Sequence, residues 1–184
     1  MLKKNILKSF KLISYYKFIN YNLIYNNNAI NRYKAHNFEL PEGKAKKLEL
    51  LKKSILSLKS CELKKNAKNI VFSDGNPKSK IMFIGEAPGA NEDQEGLPFV
   101  GKAGKLLDKM MAAIDLDRNK VYISNIVNYR PPENRKPTEE EIKRYLPFIA
   151  KHIEIIEPKI VVLLGSTAMN ALISNSDVIS KVRG

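Results

Sequence analysis

A chain of 184 residues is long enough for one domain with a sizeable core, and a hydrophobic content of 43% is ordinary for a globular protein. Lys and Arg total 32 against 19 Asp and Glu, a net charge of +13 that points to a polyanionic partner, nucleic acid before others. No apolar run approaches the ~20 residues of a membrane span, and one cysteine, Cys61, excludes an internal disulfide framework and fits a reducing cytoplasm of the bacterial type.

Residues 1–38 contain no acid and are rich in Lys, Asn, Ile, Tyr and Phe, unlike the rest of the chain. They read as a weakly ordered basic extension. Translation of AT-rich sequence upstream of a gene explains that composition better than a transit peptide, which would be rich in Arg and Ser; a nucleic-acid-binding arm is the sharper alternative. The domain proper is expected over 39–184. Leu48, Leu51, Ile55 and Leu58 recur at helical spacing and predict an amphipathic helix over 42–58. A short strand is expected at 69–72, then a turn at Asp74, Gly75, Asn76 and Pro77, then an apolar strand at 80–85.

Leu106, Leu107, Met110, Met111 and Ile114 mark a helix packing on the sheet, with the methionines as core filler. A second strand is expected at 121–126. Thr138 opens the next helix in a capping box with Glu141, and Ile142, Tyr145, Leu146, Ile149, Ile153 and Ile156 form its apolar stripe. Pro158 ends that helix. Residues 159–165 form a third strand, apolar throughout as a strand covered on both faces would be, and Ser166 caps a helix through Ala168, Ala171 and Leu172. The alternation predicts an α/β three-layer sandwich with a mainly parallel, Rossmann-like sheet, incomplete at its C-terminal side.

The candidate site is the run GEAPGANEDQEGLPFVGKAG at 85–104, which holds five glycines, two prolines, four carboxylates and Phe99 directly after an apolar strand. Open α/β sheets bind ligands at the carboxyl ends of their strands. The run follows neither GxxxxGK[ST] nor GxGxxG, so neither a P-loop nor a dinucleotide fold is supported, although generic nucleotide binding stays open from spacing alone.

Together, GEAPG at 85–89, Glu92 and Asp93, GLPFVG at 96–101, Ala103 and Gly104, Asn125, RPPENR at 130–135 and Leu164 with Gly165 resemble, in order and spacing, the type-4 uracil-DNA glycosylases. The likeness runs from about residue 58 to the end. It implies a Rossmann-like enzyme of base excision repair that removes uracil from DNA, flipping the nucleotide into a pocket and hydrolysing its N-glycosidic bond. By that resemblance Phe99 stacks on the uracil ring and Asn125 reads the base edge. Glu86 orients water or stabilises cationic sugar character, as carboxylates do in oxocarbenium-like cleavage. Glu92 is a pocket carboxylate bearing on discrimination against thymine or, alternatively, an acid that only solvates the loop, and the backbone of Ala87, Pro88 and Gly89 faces the base or a phosphate. Lys102, Lys105, Arg130 and Arg135 are candidates for DNA-backbone contacts. No lysine matches a Schiff-base position, so no lyase step is expected, and Lys78 and Lys80 read as surface charge. The protein is expected to act as a monomer on uracil-containing DNA, away from membranes.

Two departures qualify the resemblance. The family holds a [4Fe-4S] cluster on four cysteines, whereas the matching positions here are Leu58, Cys61, Tyr129 and Tyr145, so no cluster is expected; Tyr145 is expected to fill the space. The chain also ends before the family's His- and Pro-containing motif. Neither His36 nor His152 takes that role; each reads as surface or packing. An inactive, truncated remnant or a DNA-binding module without catalysis is therefore the alternative reading.

Overall fold

The computed structural model describes residues 43–173 and 179–182, all within the unit Pro41–Gly184. The expectations for residues 1–38 and for His36 lie outside them. The described elements are, in order, α1 (Lys44–Leu56), α2 (Glu62–Asn66), β1 (Asp74–Gly75), β2 (Ile81–Gly85), α3 (Ala90–Glu95), α4 (Lys102–Ala112), β3 (Tyr122–Asn125), a 3-10 turn (Pro132–Asn134), α5 (Glu139–Ile156), β4 (Ile160–Leu163), α6 (Ser166–Ile173) and α7 (Ile179–Val182).

The sheet runs β1-β3-β2-β4, with β2 parallel to β3 and to β4 and β1 antiparallel to β3. Alternate side chains of a strand point to opposite faces, and two cores result. Met82, Ile84 and Tyr122 join a core with Leu51 and Ile55 of α1, Tyr145, Ile149 and Ile156 of α5, and Ala168 of α6. Phe83 and Ile123 point the other way and pack with Leu107 and Met111 of α4. The fold is thus α/β with a mainly parallel open sheet and helices on both faces. No described helix is long and apolar enough to cross a membrane.

Helix α5 starts as its sequence dictates: Thr138 accepts from the Glu141 N–H at 3.2 Å, and the Glu141 carboxylate accepts from the Thr138 N–H at 2.7 Å. This reciprocal pair satisfies two of the N–H groups that a helix start leaves without partners. Behind it Tyr145, Ile149, His152, Ile155 and Ile156 are buried.

Four expectations need correction. The strand near residue 70 is not where hydrophobicity suggested. Asp74 and Gly75, expected as a turn, form the edge strand β1, while Val71 and Phe72 are held by Asn128, whose carbonyl accepts from the Val71 N–H at 2.8 Å and whose amide donates to the Val71 carbonyl at 3.1 Å. In α4 the residues Leu106 and Met110 are 60% exposed, because Leu107 and Met111 face the sheet and a residue one position earlier points about 100° away. Among the described residues β4 lies at the sheet edge, and its Ile160, expected under cover, is 55% exposed. Finally, Ser166 is the first residue of α6 rather than its cap.

Candidate functional site

Because β2, β3 and β4 are parallel, their carboxyl ends meet at one side of the sheet. Gly85 and Asn125 are register partners there, and Ile84 pairs with Leu163. A cavity of about 320 Å³ opens at this edge, lined by Ala87, Gly89, Glu92, Phe99, Lys102 and Asn125 among others. The two ends of the glycine-rich run and the end of β3 therefore build one concavity.

Close approach explains the first glycine. A Cβ on Gly85 would lie 2.5 Å from Asn125 Oδ1 and collide with the Phe99 ring, so only glycine lets the aromatic face and the amide stand side by side. Asn125 is buried, and among the described residues its Oδ1 has no hydrogen-bond partner. An orphaned buried acceptor costs about 1–3 kcal/mol, a penalty that a ligand bringing an N–H removes.

Glu92 lines the cavity yet is engaged by the loop itself. Its Oε2 accepts from the Gly89 N–H at 3.1 Å, and its Oε1 accepts from Val100 at 3.0 Å and Gly101 at 2.8 Å. The carboxylate thus ties the start of the run to the segment following Phe99. Asp93, the next residue of α3, instead holds the segment after α2, accepting from the Lys68 and Asn69 N–H groups at 2.9 and 3.1 Å.

Glu86 is not among the cavity-lining residues. Its Oε2 accepts a short hydrogen bond from Thr167 Oγ1 at the start of α6, a partner that sequence reasoning missed. The only signal was a second hydroxyl residue after the third strand, following Ser166. Pro88 is buried and outside the lining as well. Lys102 and Lys105 are exposed on the first turn of α4. Arg130 donates to Asn134 Oδ1 at 2.8 Å, and Arg135 forks onto Glu141 at 2.8 and 2.7 Å, which holds the Glu141 carboxyl below its ordinary range. Of the four cations expected at a DNA backbone, Arg135 is therefore already paired within the chain.

The positions matched to the cluster ligands do come together. Cys61 Sγ lies 3.3 Å from Tyr145 Oη, Leu58 packs on the same core, and Tyr129 Oη is buried without a partner among the described residues. Burial, then the hydrogen bond with Cys61, push the Tyr145 phenol upward; burial, then Cys61, do so for Tyr129. One thiol, two neutral phenols and an alkyl chain do not fit a cluster that needs four thiolates. Among the described residues no group of three or more His, Cys, Asp and Glu is arranged to hold a metal ion.

His152 belongs to neither site. It is buried against Phe72, with ring centroids 4.6 Å apart, and its Nε2 lies 2.7 Å from Tyr122 Oη. Burial pushes its pKa down to about 4, so it is a neutral core residue.

The family model described as the uracil DNA glycosylase superfamily matches residues 72–182. Among curated relatives, a type-4 uracil-DNA glycosylase of Sulfurisphaera tokodaii is 48% identical over 142 residues, covering 74% of this chain and 64% of that protein. Those of Archaeoglobus fulgidus and Saccharolobus solfataricus are 43% and 45% identical, each again over 74% of this chain and over 71% and 66% of their own lengths. The chain thus spans about two thirds of the length of these relatives.

Proposed function

The chain belongs to the type-4 uracil-DNA glycosylases of the uracil DNA glycosylase superfamily, and from that membership we propose that it hydrolyses the N-glycosidic bond of uracil in DNA, the opening step of base excision repair. One observation carries the proposal beyond family likeness: the buried, unpartnered Oδ1 of Asn125 beside the Phe99 ring in a cavity at the sheet's carboxyl edge. A pyrimidine ring bearing an imide N–H matches that pairing of aromatic face and orphaned acceptor.

In this reading the uracil nucleotide leaves the stack, at a cost of a few kcal/mol, and Phe99 recovers part of it by stacking. Asn125 accepts from the imide N–H. The C1′–N1 bond breaks with its electron pair leaving on uracil, the oxygen of a water molecule bonds to C1′, and the proton that this water releases passes to the uracil anion, giving an abasic site and free uracil. The Glu86 carboxylate, held by Thr167 outside the cavity that takes the base, serves the sugar side of the bond, where it directs that water and stabilises the developing positive charge. Glu92 acts on the base indirectly, through the loop it ties. Lys102 and Lys105, on the exposed first turn of α4, and Arg130 take DNA phosphates, so affinity falls with salt. No iron-sulfur cluster takes part: the positions matched to its ligands offer a single thiol, and Tyr145 and Tyr129 fill the place of cluster and thiolates as packing.

The test is uracil release from single- and double-stranded oligonucleotides by the wild-type chain, Asn125→Ala and Glu86→Ala. The expected result is release that falls about 100-fold or more in each variant, the usual scale for a lost transition-state hydrogen bond or charge. Release indifferent to both substitutions would remove the proposed roles, and no release at all would leave a binding module.

A further inference from the structure

Phe99 carries its ring on a costly backbone. Its φ is +56°, in the left-handed region that disfavours any residue with a Cβ, and such a conformation persists only where the surroundings over-determine it. Three neighbours do so. Gly104 on α4 leaves room for the Phe99 carbonyl, which a methyl at that position would overlap outright. Glu92 takes the Val100 and Gly101 N–H groups that follow. On the carbonyl side, Arg118 donates from Nη1 to the Pro98 oxygen at 3.1 Å and from Nη2 to the Phe99 oxygen.

Arg118 is itself pinned. Its Nη1 lies 2.7 Å from Asp74 Oδ2 on β1, and its Nε lies 3.0 Å from Asp108 Oδ1 on α4. Burial works against its charge, but the two carboxylates outweigh that effect and raise its pKa, so the fork stays fully protonated. The side chain is 26% exposed and does not line the cavity. Its five donors thus link the edge strand, the helix after the loop and two consecutive carbonyls of the loop.

We infer that Arg118 is a positioning residue for the base-stacking site: it holds the backbone of Phe99 in the left-handed conformation that lays the ring beside Asn125. The inference rests on the uracil reading for the identity of the stacked base, but not for the placement of the ring. An arginine that merely joined β1 to α4 would need only Asp74 and Asp108. The two loop carbonyls have no part in that joint.

Arg118→Lys keeps the charge yet loses the fork, so it is the informative variant. Two readouts separate the inference from the reading on which it rests. The first needs no activity: in the wild-type protein the Phe99 ring gives a nuclear Overhauser effect to the Gly85 α protons, and in Arg118→Lys that signal is lost while the fold persists. The second is inhibition by free uracil, expected to weaken about ten-fold, the scale of one lost base–aromatic stack. In the Phe99→Ala background, Arg118→Lys should add nothing further. Additive losses in the double variant, or a retained ring signal in Arg118→Lys, would overturn the inference. Loss of the ring signal in a chain whose wild type neither binds nor releases uracil would sustain the positioning role and refute the uracil reading. Should Arg118→Lys fail to fold, Asp108→Asn, which loosens the guanidinium without removing it, is expected to weaken the same signal, and an unchanged signal there would count against the inference.

Discussion

The buried imidazole of His152 makes a quantitative demand on stability. It is 1% exposed, stacked on Phe72 and bonded to Tyr122 Oη, and burial pushes its pKa down to about 4 from an ordinary 6.5. As pH falls below 6.5 the unfolded chain takes up a proton at this residue while the folded chain does not. Stability from this group is therefore complete above pH 6.5 and drains away as pH approaches 4, with a limiting slope of ~1.4 kcal/mol per pH unit and a total of about 3 kcal/mol. His152→Gln retains a polar partner for Tyr122 and cannot titrate. Urea unfolding of both proteins between pH 7 and 4 isolates the effect, since the carboxylates contribute equally to each and cancel in the difference. The wild-type protein should lose about 3 kcal/mol more than His152→Gln over that range. Parallel profiles would mean that His152 protonates freely in the folded state, which would refute the packing of α5 on β3 described above.

Three further outcomes follow from the same contacts. Tyr129→Phe removes a buried hydroxyl without a partner and should raise unfolding stability by ~1 kcal/mol in a denaturant titration, whereas a loss of stability would show that the hydroxyl has a partner. Glu92→Gln leaves at least one of three loop N–H groups poorly satisfied and weakens charge-assisted bonds worth about 1.5–3 kcal/mol, so hydrogen exchange at Val100 and Gly101 should accelerate ahead of the global core. The triple substitution Leu58→Cys, Tyr129→Cys and Tyr145→Cys should acquire visible charge-transfer absorption after reconstitution with iron and sulfide, and the wild-type chain should not. Absorption in the wild-type chain purified without oxygen would contradict the cluster-free account.

The sequence was most legible where local chemistry and tertiary packing agree. The capping box of α5, its apolar stripe and the strand ends at Gly85 and Asn125 are fixed by periodicity and by glycine and proline, and the structure keeps them. It was least legible where a role depends on a distant backbone group. Nothing in the spacing around Arg118 shows that its guanidinium reaches the Pro98 and Phe99 carbonyls 20 and 19 residues away, because backbone acceptors leave no side-chain pattern. The part of Glu92 as a loop tie is hidden in the same way, because the backbone N–H donors of Gly89, Val100 and Gly101 leave no side-chain pattern either. Exposure failed differently: the apolar content of β4 and α4 was plain, but which side each presents depends on strand order and on a rotation of one residue.

The most direct measurement is the product formed when the chain meets otherwise identical single-stranded oligonucleotides carrying one uracil or one thymine at the same position. Free uracil and an alkali-labile abasic site are expected from the first oligonucleotide and an intact strand from the second. No base released from either strand, or thymine released as readily as uracil, would contradict it.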